Sequence, residues 1–478
     1  MEHTTLPNDL PAELWRWEAR HLAEAIRRGD ISSREATQSC IDRIATTNKH
    51  VNALTHVTAG SALLAADETD ARRSRGEPLG LLHGVPVTIK CNVDVQGEPT
   101  THGVVAKLGL IASEDSPVTR NLRAAGAVCV GRSNTPAFSL RWFTENDAHG
   151  RTLNPWRDDL TPGGSSGGAS AAVAAGMSPV AHGNDLAGSV RYPAYACGVT
   201  GLRPTAGRVP SWTPTSGEER TFAAQMFAVQ GPIARSVADV RLSLAAMSAR
   251  DPRDPNWVPA PLEGPPVSNR RVAMVDEIPG MAIAPEVSAA IRQAAAWLEA
   301  SGYIVERALP PDLGESVDVW MSIAMTEIMQ GFAPTVFQLA DEGTRKALQD
   351  TLAHPGAQLD LKRYIEGYGR RDRMRRRWNL FMEQYPVVLM PTSLELPFRY
   401  GDDQQGEEAM ARILAAQLPL KLVAALNLPG LSVPTGLVDG VPVGVQLVSS
   451  AFREDLCLAA GEAIERQACM PMPFDQRG

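Results

Sequence analysis

Two glycine-rich turns, each holding up serines and joined by a run of small residues, constrain this chain more than any other feature. The first is Thr161-Pro-Gly-Gly-Ser-Ser-Gly-Gly-Ala-Ser170 and the second Asn184-Asp-Leu-Ala-Gly-Ser-Val-Arg191. Between them, Ala171-Ala-Val-Ala-Ala-Gly-Met177 reads as a tightly packed helix of small residues. Glycine is used where a backbone takes positive φ or comes close to something else. A loop that merely turns would account for Gly163–Gly168 alone. The second serine turn shifts the balance towards chemistry at a carbonyl.

The rest of the chain supplies layers around that segment. Glu13–Arg28 carries Trp15, Ala19, Leu22 and Ile26 at helical spacing and stops at Gly29, which predicts one helix. Ser32-Ser-Arg-Glu35 is a capping box opening a helix to about Thr46, and Ser61–Ser74 is a third helix. These three read as packing surface, and as dimer surface should the chain form a homodimer. In Leu81–Lys90, Val85, Val87 and Ile89 alternate, predicting a strand that ends in Lys90, with Pro86 marking an edge or a bend. A strand-end lysine either reaches solvent or is held inside. The following Cys91-Asn-Val-Asp94 is not a typical polar turn, which favours the second.

Further on, Pro117–Ala125 reads as a helix, Ala127–Val130 as a strand, and Gly201–Arg208 and Gly231–Arg235 as turn-rich segments. A helix over Ser236–Met247 is followed by a proline- and charge-rich surface loop, Asp251–Asn269. Strand Arg271–Val275, helix Glu286–Ala300 and strand Tyr303–Val305 continue the alternation of an α/β layered fold. Ser316–Glu383 is mainly helical and reads as an insertion covering the site. Val387–Pro391 is a buried strand, Gln404–Leu422 one helix, Leu426–Ser450 strand and turn, and Glu454–Arg466 a closing helix. The expectation is one domain over residues 1–478, with a core at 70–250 and a helical cap at 310–385.

Bulk properties exclude several function classes. With 478 residues, 44% hydrophobic and 21% charged, the chain is an ordinary globular protein, of about three domains or one large one. A net charge of −8 argues against a nucleic-acid partner. Arg370-Arg-Asp-Arg-Met-Arg-Arg-Arg377 reads as a solvated helix face, because Asp372 and Met374 interrupt it. Six cysteines without CxxC spacing read as small core hydrophobes in a reducing compartment. Met1–Leu10 is polar, and no apolar run reaches the ~18–20 residues of a membrane span. A cytoplasmic protein with no membrane partner is expected.

Chemistry narrows by elimination. Nine histidines offer no partner for a Gly-x-Ser-x-Gly elbow, and His182 reads as a structural residue bonding a carboxylate or backbone. No paired metal-ligand spacing occurs, no phosphate loop ends the glycine run, and no dinucleotide fingerprint opens a helix. No metal and no cofactor are therefore expected. What remains is a lysine with two serines. A serine hydroxyl is a poor nucleophile unless a base takes its proton. Lysine serves as that base only when neutral, so its ordinary value of about 10.4 has to fall to ~7–8, which burial at a strand end promotes.

These residues resemble the amidase signature family of serine amidohydrolases. The likeness rests on Gly-Gly-Ser-Ser-Gly-Gly168 followed by the Ser189 turn, with 24 residues from Ser165 to Ser189. It rests equally on Gly84-Val-Pro-Val-Thr-Ile-Lys90 upstream, and on Gly201–Arg208, Gly231–Arg235 and Pro442–Leu447 in order. It runs from about residue 13 to 466. The resemblance implies a large mixed β-sheet core sandwiched by helices, with a helical insertion. Ser189 would be the acyl-accepting nucleophile. Ser165, joined to its neighbour by a cis peptide, would bridge it to Lys90, the ultimate base. The backbone amides of Leu186, Ala187, Gly188 and Ser189 would form the oxyanion hole. Asp185 and Arg191 would hold the turn, and Ser166 would bond the lysine.

Two letters depart from the family pattern. Asn184 stands where threonine is usual, and Ala187 where the first of two glycines is usual. Alanine keeps its N–H, so the hole survives if φ there is negative, and its methyl narrows the acyl side. The run His182 to Ser189 looks like the branch of cyclic-amide hydrolases and xenobiotic acylamidases. The expected function is hydrolysis of a small or medium amide, anilide or carbamate (urethane), with esters as side reactions. The alternatives are the glutaminase subunit of a tRNA-dependent amidotransferase and a non-catalytic binding protein on the same fold.

Overall fold

In the computed structural model, which describes residues 7, 10–354, 357 and 360–476, the chain is built on one sheet. The polar stretch at residues 1–6, 8 and 9 lies outside the described residues. The strands are β1 (Leu54–Val57), β2 (Pro86–Lys90), β3 (Val128–Ser133), β4 (Val180–Asp185), β5 (Thr200–Arg203), β6 (Val229–Ala234), β7 (Arg271–Met274), β8 (Ile304–Arg307), β9 (Val387–Pro391), β10 (Gly430–Val438) and β11 (Val441–Ser449). They join in the order β1-β3-β2-β4-β6-β5-β10-β11-β9-β7-β8, a single mixed sheet flanked by helices.

Two parallel patches sit in this sheet. β2 pairs with β3 on one side and β4 on the other, and β7 lies between β8 and β9. The remaining pairs are antiparallel. Every residue of β2 is buried, as a strand paired in parallel on both sides demands. β2 is thus interior, against the edge reading of Pro86. Proline is tolerated because it is the strand's first residue, where its missing N–H interrupts the ladder least.

Three expectations are corrected. Gly201–Arg208 and Gly231–Arg235 are not simply turns: they begin with β5 and contain most of β6. Glycine suggested turns there, whereas Gly231 is present because an added Cβ would lie 2.2 Å from the Leu202 carbonyl oxygen across the sheet. Glu13–Arg28 is two pieces, a 3₁₀ turn at Leu14–Arg16 and a helix at Ala19–Arg28. The Asp239 carboxylate accepts the Ala19 and Arg20 N–H groups at 2.7 and 2.9 Å, so a tertiary cap sets the break. Gln404–Leu422 is likewise two helices, Glu407–Ala416 and Leu418–Leu426, bent by 59°. Pro419 sits in the first turn of the second, where its ring fits and an interior helix would not.

The capping box at Ser32–Glu35 is present, and its helix runs on to Val51. Residues 315–339, 342–352 and 361–384 are helical, with two π-helical turns at Met321–Met325 and Ile328–Phe332. Within the Leu361–Gln384 helix the arginine run is a solvated face at Asp372, Arg373, Arg376 and Arg377 and is docked on its other side. Arg371 is buried and donates to the Ala425 carbonyl at 2.6 Å, while Arg370 and Arg373 pair with Glu315. The cysteines are all free thiols; Cys40, Cys91, Cys197 and Cys457 are buried, Cys129 is partly so and Cys469 is exposed. Among the described residues no single helix is long and apolar enough to cross a membrane.

Candidate active site

The two serine turns meet where β2 and β4 end side by side. β2 delivers Lys90 as its last residue; β4 delivers Asn184 and Asp185 as its last two. The first turn packs against this end, its Gly163 carbonyl taking the Thr144 hydroxyl at 2.8 Å. The Gly164–Ser165 peptide is cis. Ser166 directly precedes the helix Gly167–Ala174, which starts four residues earlier than the alanine run suggests and is buried throughout. Small side chains let it sit between the turns.

Lys90 is fully buried, and its Nζ donates to Ser165 Oγ at 2.7 Å, Ser166 Oγ at 3.1 Å and Asn184 Oδ1 at 2.7 Å. Burial pushes the ammonium down to about 7, although Cys91 and Asp185 pull the other way. Near pH 7 about half of the Lys90 amines are therefore neutral, and in that form Nζ keeps two N–H groups and one lone pair for its three partners. Ser189 joins through its backbone, its carbonyl accepting the Ser166 N–H at 3.1 Å. No hydrogen bond of the Ser189 hydroxyl occurs among the described residues, and Ser189 is 8% exposed. The structure thus brings Lys90, Ser165 and Ser166 into direct contact and leaves the Ser189 hydroxyl free. Such contacts commonly close only once substrate is bound.

Asp185 shapes the second turn. Its carboxylate accepts the Gly188 N–H at 2.8 Å, the Val190 N–H at 3.2 Å, and Nε and Nη2 of Arg191 at 3.0 Å each. Arg203 adds Nη1 at 3.2 Å. Burial alone would raise this carboxyl; Arg191 and Arg203 instead hold it far below the usual carboxylate range. Arg191 also spans to Gln446 Oε1 and the Leu420 carbonyl, tying the turn to β11 and the Leu418–Leu426 helix. Removing the carboxylate would strand two buried guanidinium groups. Asp185→Ala is expected to cost about 3–5 kcal/mol in chemical denaturation, and a loss below about 1 kcal/mol would contradict this account.

The same contacts correct the expected oxyanion hole. An amide has one hydrogen, and that of Gly188 is spent on Asp185. Gly188 serves by conformation instead, at φ 104°, with Leu420 packed against the place a side chain would take. Ala187 keeps negative φ, as its alanine requires, and its carbonyl accepts the Trp142 indole N–H at 3.1 Å. Among the described residues the N–H groups of Leu186, Ala187 and Ser189 have no acceptor. His182 is structural, bonded through Nε2 to Gln230 Oε1 at 2.8 Å, a carboxamide and not the expected carboxylate or backbone. Burial pushes its ring down to about 3.

Asn184 as a lysine ligand was beyond sequence reasoning, although the signal was there in its departure from threonine. Trp142 carried no signal at all. As a whole, the arrangement can carry a proton between a serine hydroxyl and a buried amine, next to a turn of amide donors.

Comparison with known proteins follows the same line. A protein-family profile described as "Amidase" matches residues 35–458. The indoleacetamide hydrolase of Bradyrhizobium diazoefficiens is 44% identical over 457 residues, 95% of this chain and 87% of the relative. Among solved structures, 6-aminohexanoate cyclic dimer hydrolase complexed with substrate superposes with a TM-score of 0.81 at 28% identity, covering 96% of this chain and 98% of the other. A bacterial aryl acylamidase does so with 0.82 at 26% identity, covering 96% and 97%.

Proposed function

This chain belongs to the amidase family and hydrolyses carbon–nitrogen bonds other than peptide bonds, and from that premise we propose that its substrate is the amide of a small arylacetic acid, cleaved through an acyl-enzyme on Ser189. The observation that carries the mechanism is the fully buried Lys90 Nζ, 2.7 Å from Ser165 Oγ. In this reading the Ser189 oxygen adds to the amide carbon while its proton passes to Ser165, whose own proton moves to Lys90. The carbonyl oxygen, now negative, takes hydrogen bonds from free amides of the second turn, each worth ~10²–10³ in rate. Collapse breaks the C–N bond, and the proton on Lys90 returns through Ser165 to the departing amine. Water then repeats the path and releases the acid. Carbamates fit the same steps, the departing amine leaving first and water then releasing a carbonic acid monoester that breaks down to carbon dioxide and an alcohol.

The arylacetic acyl group is supported by the 44% relative named for indoleacetamide. Ala187 supports it in shape, because a methyl beside the hole favours a flat or slender acyl group. The test is a panel of indole-3-acetamide, acetanilides, cyclic amides, carbamates and glutamine, read as kcat/KM with ammonia or amine release. Indole-3-acetamide is expected to lead. Glutamine or a cyclic amide ahead by more than about tenfold, roughly 1.4 kcal/mol of transition-state binding, would overturn the substrate assignment and leave the reaction class standing.

A further inference from the structure

Lys90 has a third partner that the serines do not explain. Asn184 Oδ1 accepts from Lys90, while Asn184 Nδ2 donates to Asn92 Oδ1 at 3.0 Å. Asn92 Nδ2 donates in turn to the Ser139 hydroxyl at 3.0 Å, which also bonds Thr135 Oγ1 at 3.0 Å. Ser139 and its neighbour Phe138 both lie in left-handed backbone, at φ 61° and 55°. A bulky side chain seldom takes that region, and it persists only where the surroundings enforce it. Here Phe138 is buried edge-on against Phe332 of the helical insertion at 5.1 Å, and its N–H is held by the His102 carbonyl at 2.9 Å.

Building on the reading of Lys90 as base, we propose that Asn92 is a positioning residue, anchored by Ser139, that holds the Asn184 carboxamide oxygen towards Lys90 and so aims the lysine lone pair at Ser165. A neutral amine has two N–H groups and one lone pair. Ser166 Oγ donates its single proton to the Asn184 carbonyl at 3.3 Å, so towards Lys90 it accepts. Asn184 Oδ1 can only accept. Both N–H groups are thereby taken, and the lone pair is left for the Ser165 hydroxyl. Were the Asn184 amide turned over, its NH₂ would face the amine and claim that lone pair. The Asn92 oxygen, which can only accept, keeps the amide from turning.

The test uses the full-length enzyme with an amide it hydrolyses, followed from pH 5 to 10. The other groups acting on Lys90 are Cys91, Asp185, Arg132, His102 and His182, and all stay unchanged. Asn92→Leu removes the acceptor and is expected to lower kcat about tenfold with KM within about twofold. Asn92→Asp keeps an acceptor, so the plateau rate should survive. Its negative charge favours protonated Lys90 and should move the acid limb up by about one pH unit. Ser139→Ala, at the far end of the relay, should lose about threefold in kcat, and it keeps the test decisive if Asn92→Leu fails to fold. The proposal is overturned if Asn92→Asp and Ser139→Ala both keep the wild-type plateau and acid limb while Lys90→Met is inactive. Activity in Lys90→Met would instead overturn the base assignment, and this relay with it.

Discussion

Replacing Ser189 with alanine is expected to lower kcat/KM for amide hydrolysis by at least about 10⁴-fold and to abolish covalent labelling by a fluorophosphonate. The size follows from what is lost. Without the hydroxyl no acyl-enzyme forms, and only binding and the amide donors of the turn remain to assist water, which elsewhere leaves about 10³–10⁴ over the uncatalysed rate. The structure makes this substitution unusually clean. The Ser189 hydroxyl has no hydrogen-bond partner among the described residues, so alanine leaves no buried group unsatisfied. The backbone contact that matters, Ser166 N–H to the Ser189 carbonyl, survives the change. Thermal stability should therefore stay close to wild type, within about 0.5 kcal/mol. A variant that folds normally and keeps more than about 1% of wild-type turnover would remove Ser189 from the mechanism.

Legibility from sequence followed the reach of each interaction. Lys90, Ser165 and Ser189 could be singled out as candidates because chemistry and backbone geometry are written together in short runs: a strand ending in a lysine, and turns rich in glycine. Asp185 and Arg191 lie six residues apart in the second turn, and the family resemblance assigned them to hold it. What makes Asp185 a hub, though, is also Arg203 from β5 and the tie of Arg191 to Gln446, and no local pattern announces those. Asn92 and Ser139 are invisible for the same reason, since each looks like an ordinary loop polar residue until the fold stacks them behind Asn184. β5 and β6 were misread because glycine and proline mark turns by propensity, whereas here close packing across the sheet selects them. The break at Trp17 belongs to Asp239, more than two hundred residues away. Sequence named the Gly188 amide as a donor to substrate; only the carboxylate beneath it shows that the hydrogen is already spent.

Lys90→Met should carry the second large effect, and its pH behaviour separates chemistry from folding. In the wild type the neutral amine is the active form, so kcat/KM should climb with pH through about 7 and level off above about 8. Methionine fills the same buried space without a basic nitrogen. The loss should be about 10³-fold or more at the plateau, and the limb near pH 7 should vanish, leaving a residual rate that rises with hydroxide. Stability should move in the opposite sense. Because burial lowers the folded-state value from 10.5 to about 7, the unfolded chain binds the proton more readily between those limits. The wild type therefore loses stability as pH falls from about 10 to 7, by linkage. Lys90→Met lacks this group, so its stability relative to wild type should rise over the same interval. An enzyme that is comparatively steadier at pH 7 than at pH 10 yet catalytically dead cannot have failed by unfolding. Should the variant keep the wild-type limb near pH 7, the titrating group is another, and the fully buried Lys421, also pushed down to about 7 by burial, is the one to test next.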